Sequence, residues 1–446
     1  MEMLGFSAVY RLATDLLGFF QSLAEQGCPA PFRLGPYRAF LVTRPEHVRH
    51  VYQREQAGVY INNRFASVTK RVFGDSLLNN DGPQWASQRR MLKPYFTNAG
   101  VKQWASLIDR KLGDLADAWE RKAGEWLTVD AECAALTQAV MTSVLFGEEV
   151  GQTAVAQEAI EAIHVVHQEF VTQTLGLALL GPVFSWLPVP SNRRFNRAIR
   201  TIDRIVGRLI DCASRTRQGL IAFLRETVDP DTGRSMDAKL LRDELIALYV
   251  AGQETTGIAL TWLLYELAKH PEIAEKARKD VLDRREGEVN AEAFPYLWAI
   301  VQETLRLHPS TTTLLRYAVR GDRIGEVEIP RGSLVLMSPY VTHRLPDIWP
   351  DPERFDPTRF KPGSGAPGVC SFITFGGGRH ICLGLNLANR ILLQSAVTLL
   401  RRFEFYVPND YRVNPRPGLF LRPEGGCRIQ IVSRPLSDRL AAAAGR

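Results

Sequence analysis

Apolar positions in this chain recur mostly at three- and four-residue intervals, the spacing of helices that turn one face to a core. Residues 1–27 place Val9, Leu12, Leu16, Phe19, Phe20 and Leu23 on such a face, interrupted by Arg11, Asp15 and Glu25. That pattern predicts an amphipathic helix, neither a membrane span nor a signal peptide. Residues 32–43 break the rhythm: β-formers flank a Gly-Pro turn, which predicts a hairpin. Pro45 opens a short helix to about residue 52. Residues 58–80 keep no period and read as an apolar loop containing Val59, Ile61, Phe65, Val68, Leu77 and Leu78.

Asp81 and Pro83 mark the start of another helix. Helical spacing returns over residues 102–121 and 131–146. Residues 170–192 carry no charge, but Gly181, Pro182, Pro188 and Pro190 break the run, so no membrane span is expected there. A long helix follows at about 236–269, rich in leucine on both sides of Ala251-Gly252-Gln253-Glu254-Thr255-Thr256. Glycine, an acid and two threonines are poor choices for the middle of a buried helix, and such an interruption marks function or a kink. Residues 418–426 read as a second hairpin.

The most informative stretch is residues 375–384, FGGGRHICLG. Helical spacing resumes after it, so Cys382 sits where a helix begins. The glycines allow a tight turn and close approach to a flat ligand. A helix N-terminus favours a thiolate. Phe375 can shield the sulfur, and Gly384 leaves room beside it. A lone thiolate is wrong for zinc or an iron–sulfur cluster, which need about four ligands. It suits a metal that brings its other ligands, as haem does.

Phe375, Gly378, His380, Cys382 and Gly384 together match the haem-binding signature of the cytochromes P-450, and the chain resembles that family from about residue 30 to its end. The resemblance implies a single domain over residues 1–446 with a flexible tail from about 433. It implies a mainly α fold with a smaller β-rich region near residues 32–43, 315–340 and 404–432. Haem b would be held by Cys382, with Trp85, Arg89, Arg316 and His380 on its propionates. Ala251, Glu254 and Thr255 match the family's oxygen-activation motif: the small residue makes room for dioxygen, and Thr255 and Glu254 pass protons. Glu254 is expected to reach toward bulk solvent. Glu303, Arg306 and Arg359 match a buried structural triad that supports the cysteine loop. Residues 58–80 and 170–192 would cover the pocket, and Thr312, Thr313, Leu314, Leu315, Leu419 and Phe420 would line it.

These matches imply a monooxygenase that inserts one atom of dioxygen into an apolar small molecule such as a terpenoid, macrolide or fatty acid. A peroxide-using or non-oxidative haem-thiolate enzyme is a rival, as is a non-enzymatic haem-binding sensor. The intact Glu254–Thr255 pair and the apolar lid argue against them. The stretch after residue 432 is too short for a flavin or iron–sulfur domain, so electrons from NAD(P)H are expected through a separate ferredoxin or flavodoxin and its reductase. The formal charge of +7 is spread along the chain without a nucleic-acid motif. Arg90, Lys93 and Arg379 are the expected basic patch for an acidic partner. The six cysteines lack CxxC spacing, which points to a reducing compartment. With no transmembrane anchor in the sequence, a cytoplasmic monomer is expected.

Overall fold

The helix Ala238–Lys269 is the axis of the molecule. The computed structural model describes residues 5–62, 66–150, 156–213, 217–284, 288–361, 363, 368 and 370–434. Asp237 caps this helix by accepting from Leu240 N at 2.7 Å. Buried residues ring it completely, among them Tyr249, Leu260, Trp262 and Leu264, so it can only be a core helix. Val129–Phe146, Leu385–Arg402, Pro295–Leu307 and Pro190–Cys212 pack around it. Val129–Phe146 is long and apolar enough to cross a membrane by composition, but two-thirds of it (67%) is buried in this core.

The strands fall into separate sheets. A five-stranded sheet runs in the order Ala30–Leu34, Tyr37–Val42, Leu334–Met337, Leu314–Ala318, Tyr60–Ile61. A three-stranded sheet joins Trp126–Thr128, Arg428–Ser433 and Phe403–Tyr406. The predicted hairpin at 418–426 appears as the short pair Pro415–Arg416 and Arg422–Pro423.

Several boundaries move. The N-terminal stretch forms two helices, Gly5–Thr14 and Leu16–Glu25, because Asp15 turns its side chain to cap Gly18 N at 3.1 Å. Residues 58–80 are not simply loop: they hold the strand Tyr60–Ile61 and the helix Ala66–Phe73, too short for a period to declare itself. Residues 170–192 form the end of helix Ala156–Leu180, the turn Gly181–Trp186 and the start of Pro190–Cys212. Asn192 Nδ2 fastens that turn by donating to Phe184 O and Leu187 O at 2.6 and 2.8 Å. Phe65 and the tail from residue 435 lie outside the described residues.

Candidate active site

The glycine-rich loop and the polar interruption of the long helix line one cavity of about 1720 Å³. The loop is shaped by its glycines. Gly376 and Gly378 have φ of +72° and +63°, which other residues rarely adopt. A Cβ on Gly377 would lie 2.5 Å from the Tyr52 ring. Cys382 N closes the loop by donating to Phe375 O at 2.9 Å. Cys382 is exposed to the cavity, deep inside the protein, rather than to bulk solvent. Burial pushes its thiol above the usual range, while the N–H groups of Gly384 and Leu385 and the charge of Arg89 pull it back. Phe375 lines the cavity and packs on the main core.

Trp85, Arg89, Arg316 and His380 all reach this cavity. Trp85 is buried, with the His380 ring 4.5 Å away and the Arg379 guanidinium 4.5 Å over its face. Arg89 makes no ion pair among the described residues, and burial lowers its pKa. Arg316 and His380 each also meet a carboxylate of the protein itself. Both converge on Glu55, a buried residue that no motif singles out. Arg316 Nε lies 2.8 Å and His380 Nδ1 2.5 Å from Glu55 Oε1, and His380 Nε2 lies 3.2 Å from Asp81 Oδ1. Both ring nitrogens of His380 thus face protein carboxylates. Burial disfavours its charged form, but the bonds to Asp81 and Glu55 outweigh this and raise its pKa.

Above the cysteine, Ala251, Gly252, Glu254 and Thr255 line the cavity. Thr255 Oγ1 donates to Ala251 O at 2.8 Å, the back-bond a threonine makes in a helix when nothing else claims it. Glu254 does not reach solvent. It is buried, with Oε2 against His167 Nδ1 and Oε1 against the Arg422 guanidinium. His167 comes from helix Ala156–Leu180 and Arg422 from the C-terminal hairpin, which together roof this side of the helix. Arg422 also contacts His164, which burial and then Arg422 and Arg416 hold down at about 4, hence neutral. Neither histidine nor Arg422 stood out in sequence, since each is far from Glu254 along the chain.

Thr313, Leu314, Leu315, Leu419 and Phe420 line the cavity as expected. Thr312 does not: it is 1% exposed, and its carbonyl accepts from Ser338 Oγ at 2.9 Å. Thr311 and Thr313 line the cavity on either side of it, and the chain bends at Thr312. Glu303, Arg306 and Arg359 meet as expected. Arg306 holds Glu303 through Nε and Nη2 at 2.7 and 2.8 Å, with both side chains fully buried, and Arg359 Nε stands 3.4 Å off. The expected basic patch is partly spent. Arg90 binds Asp229 through Nε and Nη2 at 2.8 and 2.9 Å, Arg379 stacks on Trp85, and Lys93 stays exposed.

Two observations test whether haem fits. Gly384 lines the cavity with an ordinary φ of −82°, yet a Cβ there would meet no protein atom within 4 Å. The backbone does not require glycine there, and the space beside Gly384 is open to a bound group. Arg89, which makes no ion pair among the described residues, stands at the same cavity and suits an anion there. A flat group with an anionic edge, ligated by Cys382, meets both conditions.

The sequence profile of the family described as Cytochrome P450 matches residues 16–431. Cyclooctat-9-en-7-ol 5-monooxygenase of Streptomyces melanosporofaciens is 29% identical, covering 91% of this chain and 86% of that protein. Cyclooctatin synthase of the same organism is 29% identical, covering 95% and 91%. Cytochrome P450 4F3 of Homo sapiens is 29% identical, covering 97% and 88%. The crystal structure of the cytochrome P450DA heme domain superposes with a TM-score of 0.83 at 20% identity, covering 97% of this chain and 96% of that one.

Proposed function

The chain belongs to the cytochrome P450 family and is a cytochrome P450 monooxygenase, and from that premise we propose that it hydroxylates an apolar, terpenoid-like molecule with haem b on Cys382. The observation that carries this reading is the cavity wall. Phe73, Leu77, Leu248, Leu314, Leu419 and Phe420 give it an apolar surface reaching from Cys382 past Thr255. The similarity to a cyclooctat-9-en-7-ol 5-monooxygenase supports a terpenoid substrate.

Haem supplies dioxygen activation, and its thiolate ligand favours cleavage of the O–O bond. Cys382 would be that ligand, and Trp85, Arg89, Arg316 and His380 would hold the propionates. The Thr255 hydroxyl, now turned to Ala251 O, rotates to hold a water or a proton at the reacting oxygen. Glu254 resupplies that proton, its carboxylate oriented by His167 and Arg422 rather than by solvent. The apolar wall keeps other water out. Electrons arrive from NAD(P)H through a reductase and a separate ferredoxin or flavodoxin, which docks beside Lys93 on the cysteine side of a cytoplasmic monomer.

The test is spectral. The reduced, carbon monoxide-bound protein should show the red-shifted Soret band of thiolate-ligated haem, and Cys382→Ser should lose it. Titration with cyclooctat-9-en-7-ol should then shift the ferric Soret band at lower concentration than a long-chain fatty acid or a macrolide does. The reverse order removes the terpenoid assignment.

A further inference from the structure

We infer that Glu55 is a positioning residue of the haem site: its carboxylate holds Arg316 and His380 in place and sets the charge that the haem edge meets. The inference rests on the haem reading above.

Glu55 lies in the last turn of the helix Pro45–Gln56 and is 1% exposed. A carboxylate so placed is costly unless its charge does something that glutamine could not. Its Oε1 hydrogen-bonds with His380 Nδ1 and pairs ionically with Arg316 Nε. Its Oε2 has no hydrogen-bond partner among the described residues. The surrounding groups are few. Asp81 stands on the far side of His380, Asn62 Oδ1 accepts from Arg316 Nη1 at 3.0 Å, and the Arg316 guanidinium lies 5.9 Å over the Tyr52 ring. Nη1 donates to Asn62 Oδ1 and Leu315 O, which fixes the Arg316 fork, while Nε stands in ion-pair range of Glu55 Oε1 without a hydrogen bond to it, and Nη2 takes part in none of these contacts.

Glu55 also presses on the cysteine loop. A Cβ on Gly378 would stand 3.1 Å from Glu55 Oε2, so the loop backbone passes directly over the carboxylate. One side chain therefore fixes the direction of an arginine from the five-stranded sheet and of a histidine two residues before the ligating cysteine. A propionate approaching Arg316 shares it with an anion already in place. The net charge at that edge is lower than the arginines alone would give, and lower positive charge favours ferric over ferrous haem.

Glu55→Gln keeps the shape and removes the charge. Redox titration of the purified holoprotein should show a positive shift of midpoint potential, equivalent to a change of roughly tenfold in the ferrous-to-ferric ratio at the wild-type midpoint. Glu55→Asp should stay near wild type. A purely structural role would lower the melting temperature and leave the potential alone. An unchanged potential in a Glu55→Gln protein with a normal thiolate Soret band overturns the inference. If Glu55→Gln folds by circular dichroism but cannot keep haem, retention by Glu55→Asp supports the inference, and equal loss in both overturns it. A wild type lacking the thiolate spectrum removes the haem reading itself, so the first spectrum tells the two failures apart.

Discussion

Replacing Arg306 should be the most damaging single change outside the cavity, and its cost can be built from its contacts. Arg306 is fully buried and uses its whole fork: Nε and Nη2 on Glu303, Nη1 on His343 O and Pro352 O at 2.8 and 2.7 Å, and Nη2 on Arg354 O at 3.1 Å. Arg306→Ala leaves Glu303 only the Asp356 N–H and the more distant Arg359, and breaking a buried ion pair costs about 3–5 kcal/mol. Three carbonyls then lose their donor, at about 1 kcal/mol or more each where water does not replace it. The sum approaches the roughly 5–15 kcal/mol that hold a domain together, so no soluble holoprotein is expected. Arg306→Lys keeps the charge but gathers its donors at one point, which cannot span Glu303 and the carbonyls together. It should cost about 2–4 kcal/mol. Arg359→Ala removes a more distant partner, while Arg306 and the Asp356 N–H (2.8 Å) still hold Glu303. It should cost about 1–2 kcal/mol. Urea unfolding at fixed haem concentration, followed in parallel by circular dichroism and Soret absorbance, gives the order. The reasoning fails if Arg359→Ala costs as much as Arg306→Lys, or if Arg306→Lys unfolds like wild type.

Thr255→Ala should preserve substrate binding and NAD(P)H consumption but divert electrons to hydrogen peroxide, with product per electron falling toward the roughly 10²–10⁴-fold span of acid–base contributions; unchanged coupling refutes the assignment. Glu244 predicts a pH effect. It is fully buried between Leu77 N and Gln88 Nε2 (3.0 and 2.7 Å), and burial raises its pKa to about 8. An acid raised on folding contributes stability fully below its unfolded pKa, near 4.5, and loses it as pH rises toward 8, at up to about 1.4 kcal/mol per unit. Glu244→Gln should flatten that decline in thermal melts across pH 5–8, gaining most at pH 8; parallel wild-type and variant curves would contradict it.

What was legible in the sequence was local. The cysteine loop, the Glu254–Thr255 pair and the Glu303–Arg306 turn each lie within one short segment, so residue type and spacing carry the chemistry. Partners from distant segments were not legible. Glu55 meets His380 across 325 positions and Arg90 meets Asp229 across 139, and no period in either segment announces the pairing. For the same reason Glu254 was expected to reach water: its own helix says nothing of His167 or Arg422 above it. Thr312 was misplaced because a run of threonines hides which of them the bend before the strand Leu314–Ala318 turns inward.

The contacts of Glu254 bind two events that a sequence reading treats separately. His167 rides on the helix that ends in the turn Gly181–Trp186, where Trp186 stands 86% exposed. Any displacement of that helix large enough to admit a molecule from this side draws the imidazole off the acid. Of its two partners among the described residues Glu254 then keeps Arg422, itself in contact with His164 on that same helix. Access and proton supply become an interlock: with the door ajar the acid is out of true, and it regains its setting only when the latch has closed behind the guest.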